Sequence, residues 1–268
     1  MQITRSPYSP SFPWPTAVLI AINVVLYLLV ALSGGDFIDF DSRHLQDWGG
    51  NLSVLTLTGD YWRLLSNMFL HGGLMHLVAN MYMLMIVGPL TEQRLGRPGM
   101  LVIYLVGGLW ASFSSATWNA YHLFETVPGF GGMQTVTVVN LIVSVGASGA
   151  IMALCGGLLA SALASKIHTP EANSRLFKSL FQVVAINIVL GLLIPGIDQL
   201  AHIGGLLAGF ALGLAIGSLR PQATQSRYIA RSLLSAAIAL ILLALALENG
   251  GWEEAHAVHA EMQAQQYR

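Results

Sequence analysis

Seven intervals of this chain carry almost no charged side chain, and their lengths approach or match a lipid bilayer. Crossing a hydrocarbon core of about 30 Å takes about 20 mostly apolar residues at about 1.5 Å each. The intervals are residues 16–32, 74–90, 99–118, a fourth ending at 165, then 179–197, 199–219 and 228–247. The last is free of charge only over 232–247, about 24 Å of helix. Only 9% of the 268 residues are charged, against about 25% in soluble domains whose surface must face water. The expected fold class is all-α, a polytopic membrane helix bundle of six core helices plus a seventh, C-terminal transmembrane helix. The same composition excludes a disordered chain, a disulfide scaffold (Cys155 is the one cysteine) and a basic nucleic-acid binder, since the net charge is −1.

Charge placement gives the orientation. With a cytoplasmic amino terminus, that side holds Arg5, Arg94, Arg97, Lys166, Arg175, Lys178, Arg220, Arg227 and Arg231, and the other keeps Arg43, Arg63 and Arg268. This asymmetry follows the positive-inside rule. No stretch of the amino terminus reads as a cleaved signal peptide, and Pro13-Trp14-Pro15 marks an interfacial entry into a retained first helix. Residues 1–15 are then a short cytoplasmic N-terminus and 16–219 a six-helix core. A cytoplasmic linker and seventh helix occupy 220–247, and 248–268 form an extracytoplasmic tail. In that tail Trp252, His256 and His259 share a helical face, and a solvated, partly frayed amphipathic end is expected.

Two segments break the pattern. The loop 34–61 is long and acidic (Asp36, Asp39, Asp41, Asp47, Asp60), and is expected outside, ordered and lying on the membrane. The charge-free run 135–165 is too long for one straight span. Its first part, 135–145, is dense in β-branched residues, then comes Gly146-Ala147-Ser148-Gly149, then a small-residue helical pattern. The run predicts non-helical backbone dipping into the protein, with a helix starting near Ser148. Irregular backbone at membrane depth is tolerated only under cover of protein or water.

Polar groups inside spans are expensive and each needs a reason. The second span has His71, His76 and Asn80, the fourth opens with Ser148, and the sixth has His202. A lone serine in a Gly/Ala helix usually packs, and a lone intramembrane histidine often donates to a neighbouring carbonyl. Position adds information. Ser148 lies 18 residues before Lys166 and His202 lies 18 before Arg220, so both sit about 27 Å above the cytoplasmic boundary. Small-residue stripes at Gly149, Ala153, Gly157, Ser161, Ser165 and at Ala201, Gly205, Gly209, Gly213, Gly217 allow two backbones to approach closely. Each stripe could instead pack on another helix. If they face each other, Ser148 and His202 meet as nucleophile and general base. Ser148 starts a helix, whose free N–H groups favour developing negative charge. His76 and Asn80, i and i+4 on one face, could donate to the same oxyanion or simply hydrogen-bond between helices. No carboxylate is expected to orient His202, giving a dyad.

Rival chemistries lack their residues. A metalloprotease needs His-Glu-x-x-His, but His71 and His76 are five apart without a Glu between them. Paired mid-span aspartates with Gly-x-Gly-Asp, the aspartyl-protease signature, do not occur. Cys155 has no basic neighbour and is expected as a small core residue.

The motifs Trp62-Arg63, His71-Gly-Gly-Leu-Met-His76-Leu-Val-Ala-Asn80, Glu92-Gln-Arg94-Leu-Gly96, Gly146-Ala-Ser148-Gly149 and Ala201-His202-Ile-Gly-Gly205, with Gly209 beyond, occur in order on the expected spans. In this the chain resembles the rhomboid intramembrane serine proteases from about Tyr61 to Leu219. The resemblance implies Ser148 as nucleophile, His202 as its base, and His76, Asn80 and the Ser148 N–H as oxyanion donors. It also implies a structural role for Trp62-Arg63 in a loop of the outer leaflet and for Glu92 and Arg94 at the cytoplasmic helix ends. A span beyond the six-helix core occurs in a subset of the family. Met152 stands where several members carry an aromatic ring stacked on the base, and Asn67 where some have a histidine.

The function expected is therefore an integral-membrane serine endopeptidase, without cofactor or metal. It would cleave transmembrane protein substrates within the lipid bilayer, probing no nucleic acid. The expected location is the bacterial inner membrane, with the active site opening to the extracytoplasmic side. The alternatives are a non-catalytic rhomboid-like protein that binds or moves membrane proteins, and a small-solute transporter, although no internal repeat supports the latter.

Overall fold

Pro13 caps and Pro15 opens the first turn of helix α1 (Trp14–Leu32), as the interfacial Pro-Trp-Pro predicts. A proline there loses no hydrogen bond, because the first N–H groups of a helix have no intrahelical partner. The computed structural model describes residues 12–34, 36–128, 135–139, 141–165, 170–193, 196–217 and 225–266. Arg5, Lys166, Arg220 and Arg268, used above for orientation, lie outside the described residues.

The loop after α1 is ordered. It contains α2 (Ser42–Asp47), the short strand β1 (Asn51–Leu52), α3 (Ser53–Leu57), α4 (Arg63–Ser66) and a 3-10 turn at Asn67–Phe69. Arg63 is its hub. Its buried guanidinium donates to Asp60 Oδ2 at 2.9 Å and to the carbonyls of Gln46 (2.7 Å) and Gly50 (3.1 Å), while the Trp62 ring lies 4.7 Å from it. A charged donor satisfied by three acceptors fixes backbone that no helix or sheet holds.

Helix α5 (Leu74–Tyr121) is two spans joined at Gly96, where φ 72 and ψ 163 leave the helical region. Only a residue without Cβ enters that region cheaply, and Pro98 just beyond prevents the first helix from continuing. The first arm packs antiparallel on α1. A Cβ added at Gly88 would lie 2.5 Å from Thr16 Oγ1, and Glu92 Oε1 accepts from the Thr16 N–H (3.0 Å) and Oγ1 (2.6 Å). That carboxylate thus sits on the N-terminus of α1, where the helix dipole favours it. Its other oxygen is 3.8 Å from Arg97 Nε. Glu92 thus joins the N-terminus of α1 to the end of the first arm.

Beyond α5 the chain forms a hairpin of β2 (Phe124–Pro128) and β3 (Thr135–Val139), antiparallel with Phe124 opposite Val139. The strand β4 (Val143–Ser144) pairs with β1, Asn51 opposite Ser144. The β-branched run is thus divided: its first half closes the hairpin and its second enters the protein. Four helices follow: α6 (Ser148–Ser165), α7 (Pro170–Leu193), α8 (Gln199–Gly217) and α9 (Gln225–Asn249). Helix α6 starts at Ser148, as predicted. Helices α7 and α9 extend past the expected 179–197 and 228–247 on their charged sides, because charge marks the membrane boundary and does not stop a helix.

Among the described residues, Trp14–Leu32, the two-armed Leu74–Tyr121, Gln199–Gly217 and Ser226–Asn249 are long and apolar enough to cross a membrane; Ser148–Ala164 and Phe177–Leu193 are apolar but shorter. The chain is a multi-pass membrane helix bundle. Its core is the α5–α6–α8 layer, where Ile103, Tyr104, Ala153, Leu154, Cys155 and Leu158 are fully buried.

The tail corrects one expectation. It is not a frayed end but helix α10 (Glu253–Gln266), docked on the outer loop. Ala255 and Val258 are buried against Val54 and Leu123, Trp252 meets Phe113 edge-on, and His259 Nδ1 is hydrogen-bonded to Thr58 Oγ1 at 2.6 Å. The amphipathic face read there holds a helix once Val54 and Leu123 cover its apolar side.

Candidate active site

The two small-residue stripes face each other. A Cβ added at Gly205 would lie 2.1 Å from the Gly149 carbonyl oxygen, one at Gly209 would lie 1.9 Å from that of Ala153, and one at Gly213 would lie 2.6 Å from the Gly157 Cα. These are backbone atoms, so α6 and α8 run parallel in direct main-chain contact. Three glycines in one register make this approach possible, and van der Waals packing stabilises it where lipid offers no hydrophobic drive. The second arm of α5 lies antiparallel on the same face of α6, with Gly107 against Ala153 and Gly108 against Ala150.

The register places the first turns of α6 and α8 side by side. A Cβ at Gly149 would lie 3.4 Å from the Ala201 carbonyl oxygen, so the neighbours Ser148 and His202 share one level. This is the equal depth that the spacing to Lys166 and Arg220 predicts. His202 is buried, and its Nδ1 has no hydrogen-bond partner among the described residues. No hydrogen bond joins Ser148 Oγ to the His202 ring among the described residues either. The seam supplies juxtaposition at the helix ends.

A loop of exacting geometry delivers Ser148. Gly146 has φ 131, and its N–H donates to the Asn67 carbonyl at 2.9 Å. A Cβ at Gly146 would lie 2.8 Å from both Cε1 and Nε2 of His76, and 3.7 Å from Ser148 Oγ. The imidazole and the hydroxyl thus converge on one face of this glycine. His76 Nδ1 accepts from the Gly72 N–H at 3.3 Å. A neutral ring that accepts at Nδ1 carries its proton on Nε2, which is the nitrogen facing Gly146. Asn80 is buried on the same helix face and donates to the His76 carbonyl at 2.9 Å. That uses one N–H of its amide and leaves the second. His71 packs edge-on to His76 at 5.2 Å between centroids.

If the His76 Nε2–H serves as an oxyanion donor, Gly146→Ala should lower activity about 10²-fold, the usual effect of losing one such donor. The Cβ would strain a left-handed backbone and push His76 away. Turnover of a transmembrane substrate at unchanged folded fraction measures this; wild-type turnover would remove His76 from the site.

Asn67, where some rhomboids have histidine, acts as a joint. Its Nδ2 donates to the Arg63 carbonyl, its Oδ1 accepts from Ser112 Oγ at 3.1 Å, and its carbonyl holds Gly146. The loop hub at Arg63 and the Ser148 turn are thus linked through one residue, by its side chain on one side and its carbonyl on the other. Asn51 adds a second tie, donating to the Ser112 carbonyl at 2.8 Å. Met152 is buried in the core.

One nearby residue has no counterpart in the sequence reading. Asp198 ends the turn before α8, and its Oδ1 accepts the Ala201 N–H at 2.9 Å, as a helix N-cap does. The carboxylate acts electrostatically on His202 without hydrogen-bonding to its ring. Asp three residues before Ala201, at the head of an apolar interval, was the available signal.

A family model described as Rhomboid domain matches residues 58–219. Rhomboid protease AarA of Providencia stuartii is 30% identical over 207 residues, covering 75% of this chain and 70% of that protein. Rhomboid protease GluP of Bacillus subtilis (strain 168) is 30% identical over 227 residues, covering 84% of this chain and 39% of that protein. The mitochondrial RHOMBOID-like protein 6 of Arabidopsis thaliana is 38% identical over 161 residues, 60% of this chain and 45% of its own length.

Proposed function

This chain belongs to the rhomboid family, and from that premise we propose that it is an intramembrane serine endopeptidase acting through Ser148 and His202. Two relatives that carry the name protease support hydrolytic activity. The observation that carries the assignment to these residues is the glycine seam, which sets both at one end of adjoining helices.

In the proposed reaction the imidazole of His202 takes the Ser148 proton as Oγ attacks the scissile carbonyl. The tetrahedral oxyanion is met by the His76 Nε2–H, the free Asn80 N–H and the Ser148 backbone N–H. His202 then returns the proton to the leaving amine, and water hydrolyses the acyl-enzyme by the same route reversed. Catalytic hydrogen bonds are often long in substrate-free sites and tighten when substrate fills them, so the missing Ser148–His202 hydrogen bond does not exclude the pair. A helical substrate hides its carbonyls in i−4 hydrogen bonds. Membrane segments with small or helix-weakening residues near the outer interface are therefore the preferred substrates. Orientation with a cytoplasmic amino terminus and an outward-opening site follows from the Lys/Arg asymmetry.

The test is covalent labelling. A serine-reactive fluorophosphonate should modify the detergent-solubilised protein, and peptide mapping should place the adduct on Ser148. A folded protein that takes no label, or takes it elsewhere, overturns the reading and favours a non-catalytic rhomboid-like protein.

A further inference from the structure

The side-chain oxygens of Asp198 are joined to three different elements. Oδ1 caps α8 through the Ala201 N–H at 2.9 Å, and Oδ2 accepts from Ser115 Oγ on the second arm of α5 and from Ser144 Oγ on β4. An ionised carboxylate is an acceptor only, and three donors converge on this one. Helix α8 carries His202 in its first turn, and β4 leads through Gly146 into Ser148. Asp198 and Ser144 also line, with Ser148, Asn67 and Ser112, a small cavity of about 10 Å³ under the nucleophile. The same carboxylate acts electrostatically on the His202 ring.

We infer that Asp198 is the positioning residue of the proposed dyad, tying the helix that bears the base to the strand that delivers the nucleophile. The inference rests on Ser148 and His202 being that dyad. No described residue, Asp198 included, hydrogen-bonds the His202 ring at Nδ1, and Met152 offers no aromatic face to stack on it. The base is held through its backbone: the His202 N–H donates to the Asp198 carbonyl at 3.2 Å, and the Asp198 side chain fixes that turn against α5 and β4. The carboxylate at the head of α8 is also the negative charge on the helix that carries the imidazolium during attack. Charges there interact more strongly than in water, so the residue favours the reacting state of His202 as well as its position.

Asp198→Asn tests this in the full-length protein. Asparagine caps helices about as well as aspartate, and its amide NH2 can donate to the serine hydroxyls that Oδ2 accepted from, so the melting temperature should stay close to wild type. Loss of the charge and of the charge-assisted ties should lower kcat and the rate of fluorophosphonate labelling about tenfold or more, since small misplacements of reacting groups are costly. KM for a transmembrane substrate should not change. Ser144→Ala supplies a second test should Asp198→Asn not fold: it removes one tie and should lower kcat several-fold at unchanged KM. Wild-type labelling and kcat in the folded variants, or a loss confined to KM, overturns the inference while leaving the dyad standing. If the unsubstituted protein itself takes no label on Ser148, the protease reading fails and this one falls with it.

Discussion

Replacing Ser148 by alanine should abolish cleavage of a model transmembrane substrate and leave the melting temperature unchanged. The two halves of that expectation have separate grounds. Ser148 is the first residue of α6 and half-buried. None of the described residues hydrogen-bonds its Oγ, so truncation leaves no buried partner unsatisfied, and alanine fits a helical turn. The fold therefore loses almost nothing, while the reaction loses its nucleophile. Removal of a catalytic serine costs on the order of 10⁴- to 10⁶-fold in kcat. His202→Ala should cost a similar factor, and the double variant should be no worse than either single one, because nucleophile and base act as a unit. Cleavage by purified Ser148→Ala above about one per cent of wild type would exceed what residual binding can supply and would reject Ser148 as nucleophile. Additive losses in the double variant would separate His202 from it.

The legible parts of this fold are those governed by the bilayer. Charge-free intervals located α1, both arms of α5 and α8, because desolvating a charge in hydrocarbon is costly enough to write itself into the sequence. The seam was legible for a related reason: a period-four run such as Gly205, Gly209, Gly213 is uncommon unless backbone must meet backbone. Elements outside hydrocarbon left weaker marks. The α10 helix could not be told from a frayed tail, since its docking depends on Val54 and Leu123, distant in sequence. The hairpin of β2 and β3 was visible only as β-branched composition. Arg63 stood out only as half of the loop motif Trp62-Arg63, and its three acceptors in a folded loop are a tertiary fact. Asp198 was not legible as a partner of His202, because it makes no hydrogen bond to the ring. The carboxylate instead acts through the helix end, and its serine donors come from α5 and β4.

These ties share a direction. Asn67 links the Arg63 turn to Gly146, Ser112 accepts from Asn51 and donates to Asn67, and Asp198 joins α5, β4 and α8. All lie at the end of the bundle around Ser148. The apolar seam below sets the distance between α6 and α8, and the polar ties set the loop above it. A substitution in the seam should therefore harm both stability and catalysis, whereas one in the ties should act mainly on catalysis.

Gly209→Ala should destabilise the protein and silence it together. The added Cβ would lie 1.9 Å from the Ala153 carbonyl oxygen, 2.5 Å from its carbonyl carbon and 2.5 Å from its Cα. Ordinary contact begins near 3.4 Å, and backbone in the middle of a helix cannot rotate aside as a side chain can. The helices must part by more than an ångström, losing packing along the whole seam. Overpacking of a tight core costs about 1–3 kcal/mol, occasionally more; at the upper end this lowers the melting temperature by roughly 6–12 °C for a chain of this size. Parting α6 from α8 also moves His202 from Ser148, and a shift of about 1 Å can cost 10²-fold in rate. Gly217→Ala is the matched control on the same stripe. There the nearest atom is the end of a flexible side chain, Leu95 Cδ2 at 3.2 Å, with the Ser161 Cα at 3.7 Å, so both melting temperature and labelling should stay near wild type. Equal behaviour of the two variants would mean that backbone contact between α6 and α8 is not what holds the proposed dyad together.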